Sequence, residues 1–453
     1  MSAAVQAIVE AVWRMEGARI IGALARLLRD VGVAEELAQD AVVEALERWP
    51  VTSVPDNPAA WLMAVAKNRA LDYLRHHKLE QTKQGELTYE IEMLLQDATP
   101  DPAALAAAAL DDNFGDDVLR LMFVACHPVL ATEARVALTL RLLGGLSTDE
   151  IARAFLVPEA TIAQRIVRAK RSLAAAEVPF EVPRADQLGA RLASVLQVIY
   201  LIYNEGYSAS AGSDWLRPAV CDEALRLGRI LAGLMPAEPE VHGLLALMEI
   251  QSSRTRARLG PDGEPVLLME QDRSRWDRLQ IARGLAALQR ASALCQGQNQ
   301  AQSQGQGHSQ NQAQSQGQSH SQRQGQGLGP YAMQAAIAAC HARALTPQAT
   351  DWVRIAALYD ALAELSPSPV VELNRAVAVS MAYGPQAGLA LVDALQDAPA
   401  LRQYHLLPSV RGDLLWRLGR LAEAGAEFRR AAAMTQNHRE QVLLEQRARA
   451  CVG

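Results

Sequence analysis

The stretch Gly145–Leu173 constrains the fold more than any other part of this chain of 453 residues. It reads G-L-S-T-D-E-I-A-R-A-F-L-V-P-E-A-T-I-A-Q-R-I-V-R-A-K-R-S-L. Ser147 and Glu150 stand at the spacing of a capping box, in which each side chain satisfies a free backbone N–H of the first helical turn. A short helix follows to about Ala154, then an apolar turn at Phe155-Leu156-Val157. Pro158 suits the first turn of a second helix, where its missing N–H would have had no partner. Ile162, Ile166 and Leu173 recur at helical spacing and give that helix one buried face. The opposite face carries Glu159, Thr161, Gln164, Arg165, Arg168 and Arg171. Two short helices with a basic outer side fit a major groove. An ordinary helical hairpin with a solvated charged face is the alternative.

The rest of the chain is half apolar and 21% charged, with only 5% aromatic residues. Long segments follow a 3.6-residue period, and alternating runs rich in Val, Ile and Thr are hard to find, so the expected fold class is all-α. The net charge is −6. Contact with phosphates therefore needs local basic clusters, and these occur at 67–78 and 165–171. The five cysteines are scattered, which points to a reducing compartment rather than a disulfide framework. Cys126-His127 and Cys340-His341 are adjacent pairs. Neighbouring helical residues point in different directions, so buried thiols are preferred to a zinc site. The expectation is no metal and no cofactor. No basic leader with an apolar core opens the chain, and no apolar run reaches about 18 residues, so a cytoplasmic protein without a membrane partner is expected.

The first eighty residues suggest four helices. Residues 3–15 carry Val5, Ile8, Val9 and Val12 on one face, and Ile20–Leu28 marks a second helix that stops near Gly32. A third spans Ala34–Arg48, with Leu37, Ala41 and Leu46 expected inward. Glu35, Glu36, Gln39, Asp40 and Glu44 are expected on an acidic outer face. The loop W-P-V-T-S-V-P-D-N-P precedes a fourth helix, Ala59–His77. Its apolar set is Trp61, Leu62, Val65, Ala66, Leu71 and Leu74, and its far end is N-R-A-L-D-Y-L-R-H-H-K. Trp49 and Trp61 are expected in the core.

An acidic E-E-L-A-Q-D helix, a Trp-Pro loop, N-P-A-A-W-L-M-A-V-A-K-N-R-A-L-D-Y-L-R, and a later helix-turn-helix ending in R-A-K-R occur here in one order. That order resembles the bacterial extracytoplasmic-function (group 4) sigma factors of RNA polymerase. The resemblance implies a region 2 at 1–80, a flexible linker at 81–110 and a region 4 at 111–178. It implies docking of the acidic helix on the polymerase β′ coiled coil, where opposite charges fix register. It also implies that region 4 sits on the β flap. The −10 element would meet Lys67, Asn68, Arg69, Arg75, His76 and Lys78, with Thr52–Asn57 holding a flipped base. A cationic helix C-terminus favoured by the macrodipole also explains Arg75–Lys78. At the −35 element, Gln164 and Arg165 are the base-edge candidates, and Arg168, Lys170 and Arg171 the phosphate contacts.

The chain continues well past a Pro-marked joint at 178–183. The Gln, Ser and Gly near-repeats at about 296–328 cannot bury a core and are expected to be a disordered insertion. Gly412, Leu415, Gly419, Leu421, Ala424, Phe428 and Ala431 fall at tetratricopeptide-repeat positions, and Gly384 precedes Gly419 by 35 residues, close to the usual repeat of about 34. Residues 185–453 are therefore expected to form a tetratricopeptide-like helical array, as in the subgroup of these sigma factors with a long C-terminal extension. Two polar-aromatic clusters stand out in it: Asn204, Glu205 and Tyr207, and Asp272, Arg273, Arg275, Trp276 and Asp277. They suggest an interdomain or regulatory contact with the sigma modules, or clusters that merely satisfy one another, Glu205 pairing with the arginines.

A helix-turn-helix regulator on a repeat scaffold, without polymerase docking, is the rival. It would need neither the acidic helix nor the N-P-A-A-W-L helix. No nucleophile–base pair, phosphate loop or metal spacing supports an enzyme.

Overall fold

Asp30 separates the first two helices. It is extended, and its carboxylate accepts from the backbone of Gly32 and Val33, so it caps the helix that follows. This computed structural model describes residues 2–81, 114–209, 211–212, 214–261, 263–306 and 327–451. The expected linker from residue 82 onward lies outside the described residues. The chain divides into two compact units, Met1–Leu201 and Ile202–Gly453.

The first unit holds α1 (Ser2–Leu28), α2 (Val31–Thr52), α3 (Pro58–Gln81), α4 (Phe114–Ala125), α5 (Thr132–Leu142), α6 (Thr148–Phe155), α7 (Glu159–Ala175) and the start of α8 (Ala185–Tyr207). The two helices expected before Gly32 are one continuous α1. Helix α2 runs through Pro50 to Thr52, because Ser53 N–H still reaches the Trp49 carbonyl at 3.1 Å. Helices α1, α2 and α3 pack mutually, and α4 lies against α1.

The inward face of α2 differs from expectation. Its buried stripe is Val31, Ala34, Glu35, Ala38, Ala41, Ala45 and Trp49. Leu46 is turned outward and 40% exposed. Small residues allow close helix approach, so packing density outweighs the larger hydrophobic gain of burying a leucine. Trp49 is buried and meets Trp61 edge-to-face, with centroids 5.4 Å apart.

The helix after the joint at 178–183 belongs to the first unit as far as Leu201. Arg191 donates to the Phe123 carbonyl at 2.9 Å, and Ser194 Oγ donates to the Cys126 carbonyl at 2.6 Å. The start of α8 thus completes the packing of α4.

The second unit continues with β1 (Ala211–Gly212), α9 (Pro218–Leu234), α10 (Pro239–Ser252), α11 (Arg278–Gln306) and α12 (Pro330–Arg343). Then come α13 (Trp352–Leu365), α14 (Pro369–Tyr383), α15 (Pro385–Ala394), α16 (Leu406–Arg417), α17 (Leu421–Met434), β2 (Gln436–Asn437) and α18 (His438–Ala450). From α12 onward each helix packs on the next. Helix α11 extends eleven residues into the tract expected to be disordered from residue 296; residues 307–326 of that tract lie outside the described residues.

The repeat positions behave as the small-large pattern requires. Leu415, Ala424, Phe428 and Ala431 are buried together. A Cβ on Gly412 would stand 2.9 Å from the Phe428 ring. Gly384 and Gly419 hold positive φ of 101° and 76° at corresponding helix ends. Leu421 and Gly419 are exposed, unlike the rest of the set. β1 pairs in parallel with β2, and the Asn437 side-chain amide donates to the carbonyls of Ala209 and Asp214 at 3.1 and 3.0 Å.

Candidate nucleic-acid interface

The capping box forms as the spacing demands. Glu150 N–H donates to Ser147 Oγ at 3.1 Å, and Ser147 N–H donates to Glu150 Oε2 at 2.8 Å. Helix α6 ends at Leu156, held left-handed at φ 50°, and Pro158 is the N-cap of α7 rather than its first residue. Ile162, Ile166, Ala169 and Leu173 are buried, which fixes the rotation of α7. That rotation leaves Glu159, Gln164, Arg168 and Arg171 exposed and Thr161 and Arg165 half-buried. Arg165, Arg168 and Arg171 pair with no carboxylate among the described residues. Their fields add along one outward face.

Lys170 is different. Its ammonium pairs with Glu35 of α2, and Arg141 of α5 binds the other oxygen of that carboxylate at 2.6 Å. Glu35 therefore leaves the expected outer face and is buried between two cations. The cause is the alanine stripe, which turns this side of α2 inward. Two further pairs join the same modules: Arg26 to Asp117 at 3.2 Å and Arg14 to Glu150 at 2.6 Å. Burial raises the Asp117 carboxyl, and Arg26 and Arg120 partly offset this. Gly22 lets α1 approach α4, since a Cβ there would stand 3.1 Å from the Asp117 carbonyl oxygen.

Of the other acidic residues, Glu36 is exposed and Gln39 half-buried. Asp40 and Glu44 both bind Arg69 of α3, at 3.4 and 2.8 Å. Arg69 is thus committed to α2 and does not stand free on the α3 surface. Asn68, Arg75 and His76 are exposed, Lys67 is half-buried, and Lys78 lies on the same helix. Arg75 pairs with Asp72 at 2.7 Å, and His76 Nδ1 lies 2.8 Å from the Asp72 carbonyl oxygen. The loop at 52–57 is mostly exposed, and Asn57 Oδ1 caps α3 through Ala60 N–H.

In the second unit the two polar-aromatic clusters meet, but not through Glu205, whose partner is Arg217. The link is Arg254, which donates to the Tyr207 hydroxyl and lies 5.7 Å from the Trp276 ring centroid. Asp272 and Asp277 cap turns through Ser274 and through Leu279 and Gln280. Arg275 is exposed and Asn204 half-buried. The signal for Arg254 and Arg258 was the basic run R-T-R-A-R after α10, which lacks a matching run of acids. All five cysteines are buried, and no group of three potential metal ligands occurs among the described residues.

Family models cover both halves of this geometry. Sigma-70 region 2 matches residues 12–80, and Sigma-70 region 4 matches 120–173. The ECF RNA polymerase sigma factor SigK of Mycobacterium tuberculosis (strain ATCC 25618 / H37Rv) is 32% identical over 157 residues, 78% of its length and 34% of this chain. This chain belongs to the ECF RNA polymerase sigma factors. SigK of Mycobacterium ulcerans (strain Agy99) is 29% identical over a similar span, again 78% of its length and 34% of this chain. A family of unknown function, DUF6596, matches residues 191–292. An uncharacterized protein of Rhizobium meliloti (strain 1021) is 44% identical over 420 residues, 93% of this chain and 90% of its own. It therefore shares the extension as well. No solved structure matches the chain. As an ECF sigma factor, the protein has core RNA polymerase and promoter DNA as its partners. No helix among the described residues is long and apolar enough to cross a membrane.

Proposed function

We propose that α7 of this sigma factor reads the −35 element and that region 2 joins polymerase docking to −10 recognition, in the cytoplasm. The observation that carries this is the outward face of α7. Three arginines without carboxylate partners among the described residues lie opposite a buried Ile162–Ile166–Ala169–Leu173 stripe. Gln164 and Arg165 meet base edges, and Arg168 and Arg171 meet phosphates. The exposed side of α2, with Glu36, Asp40 and the outward Leu46, docks on the β′ coiled coil, while region 4 rests on the β flap. Asn68, Arg75 and His76 follow the opened −10 strand. The C-terminal unit regulates or supports this activity.

Promoter-directed transcription with core polymerase and a mapped start site tests the reading. Arg165→Ala together with Arg168→Ala should lower −35-dependent initiation by at least about tenfold, while capture of core polymerase stays unchanged. Full activity in that variant would overturn the assignment of α7. Failure to capture core polymerase would instead favour a regulator without docking. For the extension, truncation belongs after Leu201 rather than near residue 180, because α8 helps cover region 4. Equal activity and equal response of the truncated and full chains would remove a regulatory role.

A further inference from the structure

The second unit contains a row of cations and rings that no carboxylate pairs with among the described residues. Arg258 is 5% exposed, and its guanidinium carbon lies 3.5 Å from the Tyr207 ring centroid and 4.5 Å from that of Trp215. Arg254 lies 5.9 Å from Tyr207 and 5.7 Å from Trp276. Arg273 is 4% exposed and 5.1 Å from the same Trp276 ring. Rings and cations alternate in the order Trp215, Arg258, Tyr207, Arg254, Trp276, Arg273. The row draws on the end of α8, the segment before α9, the turn after α10 and the turn before α11.

None of the three arginines pairs with a carboxylate among the described residues. Four acids of the same segments are engaged elsewhere, Glu205 with Arg217, Glu249 with Arg229, and Asp272 and Asp277 in turn caps, while Asp262 lies outside the described residues. A guanidinium carries five N–H donors. Arg254 donates to the Tyr207 hydroxyl and Arg258 to the Tyr207 carbonyl, one hydrogen bond each. Arg273 donates to the His341 and Ala344 carbonyls and the Thr350 hydroxyl, while its buried Nε has no acceptor. The buried Trp276 indole N–H also lacks one. Ring faces attract cations but bring no net charge, and buried charges are otherwise paired or bound to ions. His341 does not help: burial, then Arg254 and Arg273, push it down to about 3.

We propose that Arg254 and Arg258, on the Tyr207–Trp276 row, form a binding site for a phosphate group, either free or as the monoester of an aromatic compound. A phosphate monoester carries close to two negative charges at neutral pH, more than one carboxylate supplies. Its oxygens match the guanidinium fork. Trp215, half-buried at the end of the row, is the ring on which a heteroaromatic body would stack. This site belongs to the second unit and makes the extension a receptor for a small phosphorylated ligand.

Calorimetry and thermal shift on the full chain test it, with inorganic phosphate, AMP and adenosine as probes at matched ionic strength. Inorganic phosphate and AMP should bind saturably, and adenosine should not. AMP at least about tenfold tighter than phosphate identifies a monoester ligand, and equal affinities identify free phosphate. Arg254→Gln removes a half-buried side chain with one protein hydrogen bond, and should weaken binding at least about tenfold while the circular dichroism stays unchanged. If that variant does not fold, Arg258→Lys keeps the charge, loses the fork, and should weaken binding similarly. No saturable binding of phosphate or AMP at millimolar concentration would overturn the proposal. So would unaltered affinity in a folded Arg254→Gln protein.

Discussion

Replacing Glu35 with Gln should weaken the fold and strengthen DNA binding at once. The Glu35 side chain is 4% exposed and holds Arg141 and Lys170, which are 20% and 23% exposed. Removing one partner of a buried ion pair costs about 3–5 kcal/mol. Both cations keep some contact with water, so about 2–3 kcal/mol is expected here. In a unit of roughly 200 residues, this lowers the melting temperature by about 4–12 °C. The same change releases Lys170 on α7, the helix proposed to meet the −35 element. One more phosphate contact steepens the dependence of log K on log salt by about 0.9. Urea unfolding of the full chain and a salt titration of binding to a −35 duplex measure the two effects. An unchanged salt slope, with stability within about 0.5 kcal/mol of the parent, would refute the role given to this carboxylate.

Three other perturbations follow from close contacts. Gly22→Ala places a methyl 3.1 Å from the Asp117 carbonyl oxygen, and should destabilise the first unit by about 1–3 kcal/mol in a denaturant titration. Asn437→Ala removes the α18 cap and two hydrogen bonds to the Ala209 and Asp214 carbonyls, for an expected loss of about 2–4 kcal/mol seen in the second unit's unfolding. His341 is pushed down to about 3 from an ordinary 6.5, so the unfolded chain takes up its proton first. Its stabilising effect is complete above pH 6.5 and is lost as pH falls from there toward 3. Going from pH 7 to pH 5 should cost about 2 kcal/mol. His341→Phe should flatten that slope in urea unfolding at several pH values.

Local chemistry made the helix-turn-helix legible. Ser147 and Glu150 act across three residues, and Ile162, Ile166 and Leu173 follow from period alone. The rotation of α2 was not legible, because hydrophobic ranking favours Leu37 and Leu46 over alanine. The close approach of α1 and α2 selects Ala34, Ala38, Ala41 and Ala45 instead. Glu35 and Lys170 are 135 residues apart, and nothing in their local sequences marks them as partners. The same holds for Arg254, which joins two clusters seen separately in the sequence. The Gly384 and Gly419 pair was visible because positive φ at a helix end selects glycine.

The pairing of residues 211–212 with 436–437 bears on how the extension can fail. An open stack of helix pairs frays from its ends, each loss leaving the remainder intact. Here the last turn before α18 is tied to the segment just after α8. The array is a circuit rather than a line, so neither terminus can peel away without the other. Melting should then be a single event. Trimming the final helix should loosen the stretch beside Tyr207 and Trp215, far upstream in the chain, and shortening from the C-terminus would disable the phosphate row before it shortened the stack.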